Sequence, residues 1–248
     1  MNVNKNQRKP DYKTSLNYAH FFAVTYGLPL KICKSSNPIP IFLLFMFFIT
    51  TVIEAADLKK ILVLGDSLTA GYGLPADQSF PARLENELVA SGFRVKVLNG
   101  GVSGDTSAGG RSRLNWALAD KPHFAIVELG ANDGLRGLNP LAMRDNISDI
   151  IVRLKAAGVR VLLTGMKAPP NLGPEYTKAF NRTFPVLAKK HNVLFYPFFL
   201  DGVATIAALN QDDGIHPNSG GVTVIVERIK PFVVRLMQDK KAEEGRLD

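Results

Sequence analysis

The chain has 248 residues, of which 46% are hydrophobic and 21% charged, and its net charge is +8. This ordinary globular composition excludes a disordered, collagen-like or coiled-coil chain. The single cysteine, Cys33, excludes an internal disulfide and a four-cysteine zinc site. Residues 1–56 hold six basic and two acidic side chains, and the remainder holds 24 and 20. Because this remainder is only mildly basic and has no Lys/Arg stripe with interleaved aromatics, we expect no nucleic-acid partner.

Residues 1–56 have the order of a leader with an export signal. An apolar core at 41–53 follows a basic stretch and precedes Glu-Ala-Ala at 54–56. As a helix this core would reach about 20 Å against a hydrocarbon layer of about 30 Å, which favours a cleaved signal peptide over a membrane span. We expect cleavage after Ala55 and a periplasmic or secreted protein, with anchoring through an uncleaved segment as the alternative. A later translation start at Leu30 would give a leader of conventional length.

Residues 57–248 are predicted to form one domain in which strands and helices alternate. Short apolar runs typical of buried parallel strands lie at 61–64, 95–98, 124–127, 159–163 and 193–196. Helical stretches lie between and after them, at 80–90, 107–119, 141–157, 174–190 and 221–238. This alternation predicts an α/β fold, a three-layer α/β/α sandwich with a five-stranded parallel sheet. In such folds the active site forms at the loops that follow the carboxyl ends of the strands.

The turn after the first predicted strand carries a candidate nucleophile. Ser67 lies between a strand and a helix, where neighbouring backbone amides point to the place that an anion would occupy. The ordinary alternative is a serine that only caps the helix. A dinucleotide-binding loop is rejected, because the G-x-G-x-x-A match at 71–76 begins seven residues after the strand and contains Pro75. The second strand also ends in Asn99, where that fingerprint requires an acidic residue.

A serine hydroxyl needs a base, and His216 is the best candidate. It lies in a loop rich in glycine and proline, three residues after Asp213. A carboxylate there can bind the imidazole Nδ1 and leave Nε2 free as the base. The three other histidines lie in the leader, before a strand and at a helix end, where structural roles account for them: His20, His123 and His191.

The next two strands lead into loops that can supply an oxyanion hole. These loops span residues 99–106 and 128–134 and are rich in glycine, which allows a backbone amide to approach a substrate closely. Asn132 offers a side-chain amide that can donate to a developing oxyanion. Glycine and asparagine are common loop residues, so the argument depends on three successive strand ends that supply serine, glycine and asparagine.

Together these segments resemble the four sequence blocks of the GDSL, or SGNH, hydrolases. The matching residues are Gly65-Asp66-Ser67-Leu68, Gly104, Gly130-x-Asn132-Asp133 and Asp213-x-x-His216. The resemblance extends from about residue 58 to 238, and it implies that the parallel sheet is of the flavodoxin-like kind. Within the family the chain is similar to the secreted bacterial branch of multifunctional thioesterase I, lysophospholipase and arylesterase, with which it shares the runs 103–107, 132–137 and 212–218.

The resemblance implies a role for each matched residue. Ser67 would be the nucleophile, His216 the base and Asp213 the residue that orients it. The oxyanion donors would be the Ser67 and Gly104 amides and the Asn132 side chain. Two further carboxylates of the motifs are interpreted as acceptors that brace the loops: Asp66 and Asp133.

The implied activity is hydrolysis of carboxylic esters and thioesters through an acyl-enzyme, with no metal and no cofactor. The expected substrates are small acyl esters, thioesters or lysophospholipids, with transient contact with membrane lipid, and the protein is expected to be a monomer. The loops after the third and fourth strands are expected to border the acyl pocket through Leu135, Leu138, Ala168 and Leu172. A carbohydrate acetylesterase and a noncatalytic binding module on the same fold are the alternatives.

Overall fold

The computed structural model describes residues 58–238, so the predicted leader at 1–56 lies outside the described residues. These residues form a five-stranded sheet in which all neighbouring strands are parallel. Its strands are β1 (Lys59–Gly65), β2 (Val95–Gly101), β3 (Phe124–Val127), β4 (Arg160–Thr164) and β5 (Leu194–Tyr196). They lie in the order β2-β1-β3-β4-β5, and the predicted α/β fold is therefore confirmed.

Helices cover the sheet and bury its apolar side chains. They are α1 (Ser67–Ala70), α2 (Phe80–Ala90), α3 (Ser107–Ser112), α4 (Leu114–Leu118), α5 (Ala131–Leu135), α6 (Pro140–Ala156), α7 (Pro174–His191) and α8 (Ser219–Gln238), with 3₁₀ turns at Ala76–Gln78, Pro170–Leu172 and Ala207–Leu209. Helices α2 and α8 pack together, and α6 packs against both α3 and α7. Within residues 58–238 no helix has the length and apolar character needed to cross a membrane.

Apolar residues at helical spacing fix the long helices onto the sheet. In α6 the buried positions include Met143, Ile147, Ile150 and Leu154, all at 0 or 1% exposure. These positions recur every three or four residues and therefore form one face of the helix. Burial of each such side chain contributes on the order of 2 kcal/mol, which gives a rigid base for the loops at the sheet's edge.

The predicted helix at 107–119 is wrong in one respect, because it is two helices divided at Arg113. The backbone of Arg113 has φ −94° and ψ 3°, and it ends α3 and precedes α4. The pair Gly109-Gly110 lowers the helical propensity of this segment. The Arg113 side chain turns toward the β1 end, where it binds the Gly65 carbonyl at 2.9 Å.

The strand order places a crevice between β1 and β3. The chain leaves β1 for β2 on one side and later returns to β3 on the other, and ligands bind at such switch points in parallel sheets. Leu64 pairs with Val127, so the residues that follow these two strands adjoin. The predicted nucleophile follows β1 and the predicted oxyanion donor Asn132 follows β3.

Candidate active site

A sharp turn at the end of β1 presents Ser67 at the crevice. Asp66 caps α1 by accepting the Leu68 N–H on its Oδ1 at 3.0 Å. Gly65 is required before it, because a Cβ there would lie 2.2 Å from Thr69 Oγ1 and 2.7 Å from Glu128 Oε2. Ser67 is therefore held as the first residue of α1 by tight packing beneath the turn.

The loop that carries His216 is built around the carboxylate of Asp213. Asp213 Oδ1 accepts the backbone N–H groups of Ile215 and His216, both at 2.9 Å. Its Oδ2 lies 2.6 Å from His216 Nδ1. The backbone and side-chain hydrogen bonds from His216, followed by the Ile215 N–H, lower the Asp213 pKa to about 2. The carboxylate is therefore ionised at neutral pH and fixes the orientation of the imidazole.

The structure brings Ser67, His216 and Asp213 into one hydrogen-bonded row. The distance between His216 Nε2 and Ser67 Oγ is 2.9 Å, although 149 residues separate them in the chain. Nδ1 faces the carboxylate and Nε2 faces the hydroxyl, so the imidazole can take a proton from the serine. Asp212, the neighbour of Asp213, is exposed and has no place in this row.

Two residues that the sequence did not single out hold the imidazole in place. The Tyr72 ring lies 4.5 Å from the His216 ring, centroid to centroid, at an interplanar angle of 37°. Gln211 Nε2 donates to the Tyr72 carbonyl at 2.8 Å and to the Pro217 carbonyl at 3.1 Å. Gln211 therefore ties the histidine loop to the segment that follows Ser67, and no sequence motif marks it.

The predicted oxyanion donors lie beside the serine on neighbouring strand ends. Gly104 has φ +84°, a conformation that favours glycine, and its carbonyl accepts an Arg136 N–H at 2.8 Å. The Asn132 side-chain amide donates to the Asp105 carbonyl at 2.9 Å and to Asp66 Oδ2 at 3.3 Å. These two bonds fix the amide at the crevice, and the longer one is the easier to exchange for a bond to substrate.

The row opens into a cavity of about 290 Å³. All five strand ends contribute to its lining, which includes Ser67, Gly104, Asn132 and His216. Its apolar wall includes Leu135, Met166, Leu200 and Ile215. Two larger surface cavities, of about 510 and 370 Å³, contain none of the predicted site residues. The cavity beside the serine is therefore the candidate substrate site.

Of the four residues predicted to border the acyl pocket, the cavity lining includes Leu135 and not the other three. Ala168 is buried, and its N–H binds Asn181 Oδ1 at 2.9 Å. Leu138 is 41% exposed and Leu172 lies in the 3₁₀ turn Pro170–Leu172. The loop after β4 instead contributes Met166, Lys167 and Pro169 to the lining.

Beneath the serine turn lie two buried carboxyl groups in contact. Asp66 and Glu128 are both fully buried, and the Asp66 N–H donates to Glu128 Oε2 at 3.3 Å. Burial raises the Asp66 pKa to about 6, against the opposing effects of the Leu68 N–H and of His216. Burial and the charge of Asp66 raise the Glu128 pKa well above its ordinary value. The sequence did not single out Glu128, because an acid at a strand end reads as an ordinary loop residue.

The remaining candidates have structural contacts. Asp133 accepts the Ser107 N–H at 2.7 Å and the Ser107 hydroxyl at 2.6 Å, and thus joins the loops after β2 and β3. His123 Nδ1 accepts the Lys60 N–H at 3.1 Å, and His191 Nε2 lies 2.8 Å from Ser148 Oγ. Within residues 58–238 no group of three or more His, Cys, Asp or Glu side chains is placed to hold a metal ion.

Comparison with known proteins agrees with this fold. The GDSL-like lipase/acylhydrolase family matches residues 63–224. Esterase TesA of Pseudomonas aeruginosa is 39% identical over 185 residues, which are 74% of this chain and 92% of that protein. Thioesterase 1/protease 1/lysophospholipase L1 of Escherichia coli is 40% identical over 194 residues, 76% of this chain and 92% of that protein. The crystal structure of the psychrotrophic esterase EstA from Pseudoalteromonas, inhibited by monoethylphosphonate, has a TM-score of 0.70 at 31% identity and covers 73% of this chain and 100% of that one.

The chain therefore belongs to the GDSL-like lipase/acylhydrolase family, and the resemblance found in its sequence is confirmed. It is a carboxylic ester hydrolase.

Proposed function

We propose that this hydrolase cleaves carboxylic esters and thioesters by two-step acyl transfer through Ser67. His216 takes the Ser67 proton as the hydroxyl attacks the substrate carbonyl, and Asp213 stabilises the imidazolium that forms. The Ser67 and Gly104 amides and the Asn132 side chain bind the oxyanion. Collapse expels the alcohol or thiol, which receives the proton from His216, and water then releases the acid by the same route. The observation that carries this proposal is the 2.9 Å contact between Ser67 Oγ and His216 Nε2.

The cavity supports an acyl ester as the substrate. Its volume of about 290 Å³ lies near the lower end of common ligand pockets, which favours short or medium acyl groups. Leu135, Leu200 and Ile215 offer apolar surface to an acyl chain. Lys167, whose Nζ lies 4.4 Å from the Phe198 ring centroid, adds a cation to the lining. This wall favours an acyl ester or lysophospholipid over an acetylated carbohydrate.

A fluorophosphonate probe tests the nucleophile. The folded protein should be labelled at one serine, and Ser67→Ala should abolish both labelling and turnover of p-nitrophenyl esters, with a loss of about 10⁴-fold or more in kcat. Ser103→Ala, which changes another serine of the same cavity, is the matched control and should still be labelled. Labelling that persists in Ser67→Ala contradicts the assignment.

A substrate panel tests the reaction class. We expect p-nitrophenyl esters of short to medium chain length, acyl thioesters and lysophosphatidylcholine to be hydrolysed, and acetylated xylan to be a poor substrate. Faster release of acetate from the xylan than of nitrophenol from the esters would favour the carbohydrate acetylesterase. Binding of a panel member without hydrolysis of any would favour a noncatalytic module.

The leader and the solution state complete the proposal. Export through residues 1–56 predicts that the mature protein begins at Ala56, which N-terminal sequencing of the secreted or periplasmic fraction measures. A mature chain that retains residues 41–53 would support anchoring instead. Light scattering of the mature domain should give the mass of a monomer.

A further inference from the structure

A carboxyl group that the proposed acyl transfer does not use lies behind the serine turn. The Glu128 side chain is fully buried at the end of β3. Its Oε2 accepts the Asp66 N–H at 3.3 Å, and its Oε1 is buried with no hydrogen-bond partner among residues 58–238. The Thr69 hydroxyl also favours the ionised form, but burial has the larger effect on the Glu128 pKa. A buried ion with so few donors is unfavourable, because desolvation exceeds the gain from its partners.

Asp66, the neighbour of Glu128, has the better surroundings for a negative charge. Its two oxygens accept the Leu68 N–H at 3.0 Å and an Asn132 amide hydrogen at 3.3 Å. The positive form of His216 also favours ionisation of Asp66, whereas Asp105 opposes it. Asp105 is itself paired with Arg113 at 2.6 Å. Since two carboxylates in contact do not both ionise readily in a buried site, the negative charge belongs on Asp66 and the proton on Glu128.

We propose that Glu128 is a positioning residue that stays uncharged in the active enzyme, where it accepts the Asp66 N–H beneath Ser67 and leaves Asp66 as the one carboxylate that faces Asn132. The inference rests on the proposed acyl transfer. Asp66 then acts on the reaction in two ways: it orients the Asn132 amide, and its negative charge attracts the positive charge that His216 acquires during the reaction.

Two substitutions of Glu128 separate the effect of its charge from the effect of its shape and hydrogen bond. Its Oε2 lies where a Gly65 side chain would be, so the carboxyl group fits closely against the turn. Glu128→Gln keeps the shape and an oxygen acceptor but cannot ionise. Glu128→Leu keeps much of the volume but leaves the Asp66 N–H without an acceptor.

A matched control is available on the neighbouring strand. The Thr164 hydroxyl is also buried, and it donates to the Val127 carbonyl at 3.2 Å, one residue before Glu128. Thr164→Val therefore removes a buried polar contact at the same strand end without touching Asp66. It should lower the melting temperature and leave kcat and its pH profile at the wild-type values.

The experiment measures kcat and KM against pH for wild type, Glu128→Gln, Glu128→Leu and the Thr164→Val control. We expect Glu128→Gln to keep kcat within about threefold and to keep the acidic limb of the profile within about 0.3 pH unit. Glu128→Leu should lose about tenfold or more in kcat with little change in KM, because the turn beneath the nucleophile loses its acceptor.

Either of two kinetic outcomes overturns the proposal. If Glu128 is ionised in the wild type, its removal takes a negative charge from beside Asp66 and moves the acidic limb of Glu128→Gln down by about one pH unit. If both Glu128 variants keep the wild-type kcat and profile, Glu128 has no positioning role. Should Glu128→Leu fail to fold, infrared spectroscopy decides: the wild type at pH 7 should show a protonated-carboxyl band that Glu128→Gln lacks, and the lack of such a band overturns the proposal.

Fluorophosphonate labelling of the wild-type Ser67 keeps this test separate from that of the proposed function. Labelling that is present in wild type and absent in Ser67→Ala upholds the acyl transfer whatever the Glu128 variants do. A Glu128 result that contradicts the proposal then concerns only the buried carboxyl group.

Discussion

Asp213 and Asp66 are the same residue type within one site, yet their pKa values move in opposite directions. Asp213 has a 38% exposed side chain and accepts three hydrogen bonds within its own loop, and its pKa falls to about 2. Asp66 is fully buried with two donors, and its pKa rises to about 6. The contrast shows that desolvation outweighs hydrogen bonding at Asp66, whereas local donors prevail at Asp213. One acid is thus ionised over nearly the whole pH range, and the other titrates just below neutrality.

The largest expected effect comes from the exposed acid. Asp213→Asn should lower kcat by about 10⁴-fold, because an amide cannot stabilise the imidazolium and favours the wrong tautomer of His216. The measurement is kcat for a p-nitrophenyl ester. Asp212→Asn changes the adjacent exposed carboxylate and should keep wild-type activity. If Asp212→Asn were inactive and Asp213→Asn kept its activity, Asp212 rather than Asp213 would be the residue that orients His216.

The buried acid should have a smaller effect on the rate. In Asp66→Asn the new side chain has one oxygen for two donors, so its NH₂ group faces either the Leu68 N–H or the Asn132 amide. An unmatched buried donor costs about 1–3 kcal/mol, which predicts a loss of about 10- to 100-fold in kcat. Asp77→Asn, in the exposed 3₁₀ turn Ala76–Gln78, is the control that should change nothing. A wild-type kcat for Asp66→Asn would show that Asn132 does not depend on Asp66.

A still smaller effect on kcat is expected from Gln211, which links the Asp213 loop to the segment that follows Ser67. Gln211→Ala removes the bonds to the Tyr72 and Pro217 carbonyls and should lower kcat about three- to tenfold, in keeping with the modest net value of such bonds. Gln78→Ala serves as the control. Because Gln211 does not line the cavity, KM should stay near its wild-type value. A change in KM alone would contradict a role in positioning His216.

The two acids should also differ in the sign of their effect on the stability of the fold. The folded-state pKa of Asp66 exceeds its ordinary value of 3.8, so its charge destabilises the fold above pH 6 and protonation relieves this as pH falls toward 4. The stability of Asp66→Asn relative to wild type should therefore be higher at pH 8 than at pH 4, by up to about 3 kcal/mol.

The contribution of Asp213 to stability has the opposite pH dependence. Its lowered folded-state pKa gives stability that is present above about pH 4 and is lost as pH falls toward 2. Relative to wild type, Asp213→Asn should therefore be less stable at pH 7 and recover near pH 2. Denaturant titrations of both variants at paired pH values measure these differences. If the relative stability of both variants changed with pH in the same direction, the opposite pKa shifts of Asp66 and Asp213 would be contradicted.

The sequence predicted what depends on local pattern. The apolar runs located all five strands to within three residues at either end, because buried parallel strands are marked by their composition. The turn at Ser67 and the Asp213 to His216 spacing were visible because each is contained in a few consecutive residues. Strand order was implied only by the family resemblance.

What the sequence missed depends on long-range contacts. Glu128 acquires its character from the pairing of β1 with β3, which places it behind Asp66. Gln211 contacts Tyr72 across 139 residues. Leu138, Ala168 and Leu172 stay predictions for the acyl pocket, because position after a strand does not determine which way a side chain faces. The break at Arg113 likewise follows from its tertiary contact with Gly65.

The separation of 149 residues between Ser67 and His216 has a consequence for the nascent chain during synthesis. The hydroxyl is synthesised early, and its base arrives only when most of the domain has left the ribosome. Until the sheet is assembled, the hydroxyl has no proton acceptor and is as unreactive as any free alcohol. The capacity to hydrolyse esters through this serine therefore arises only with the completed fold.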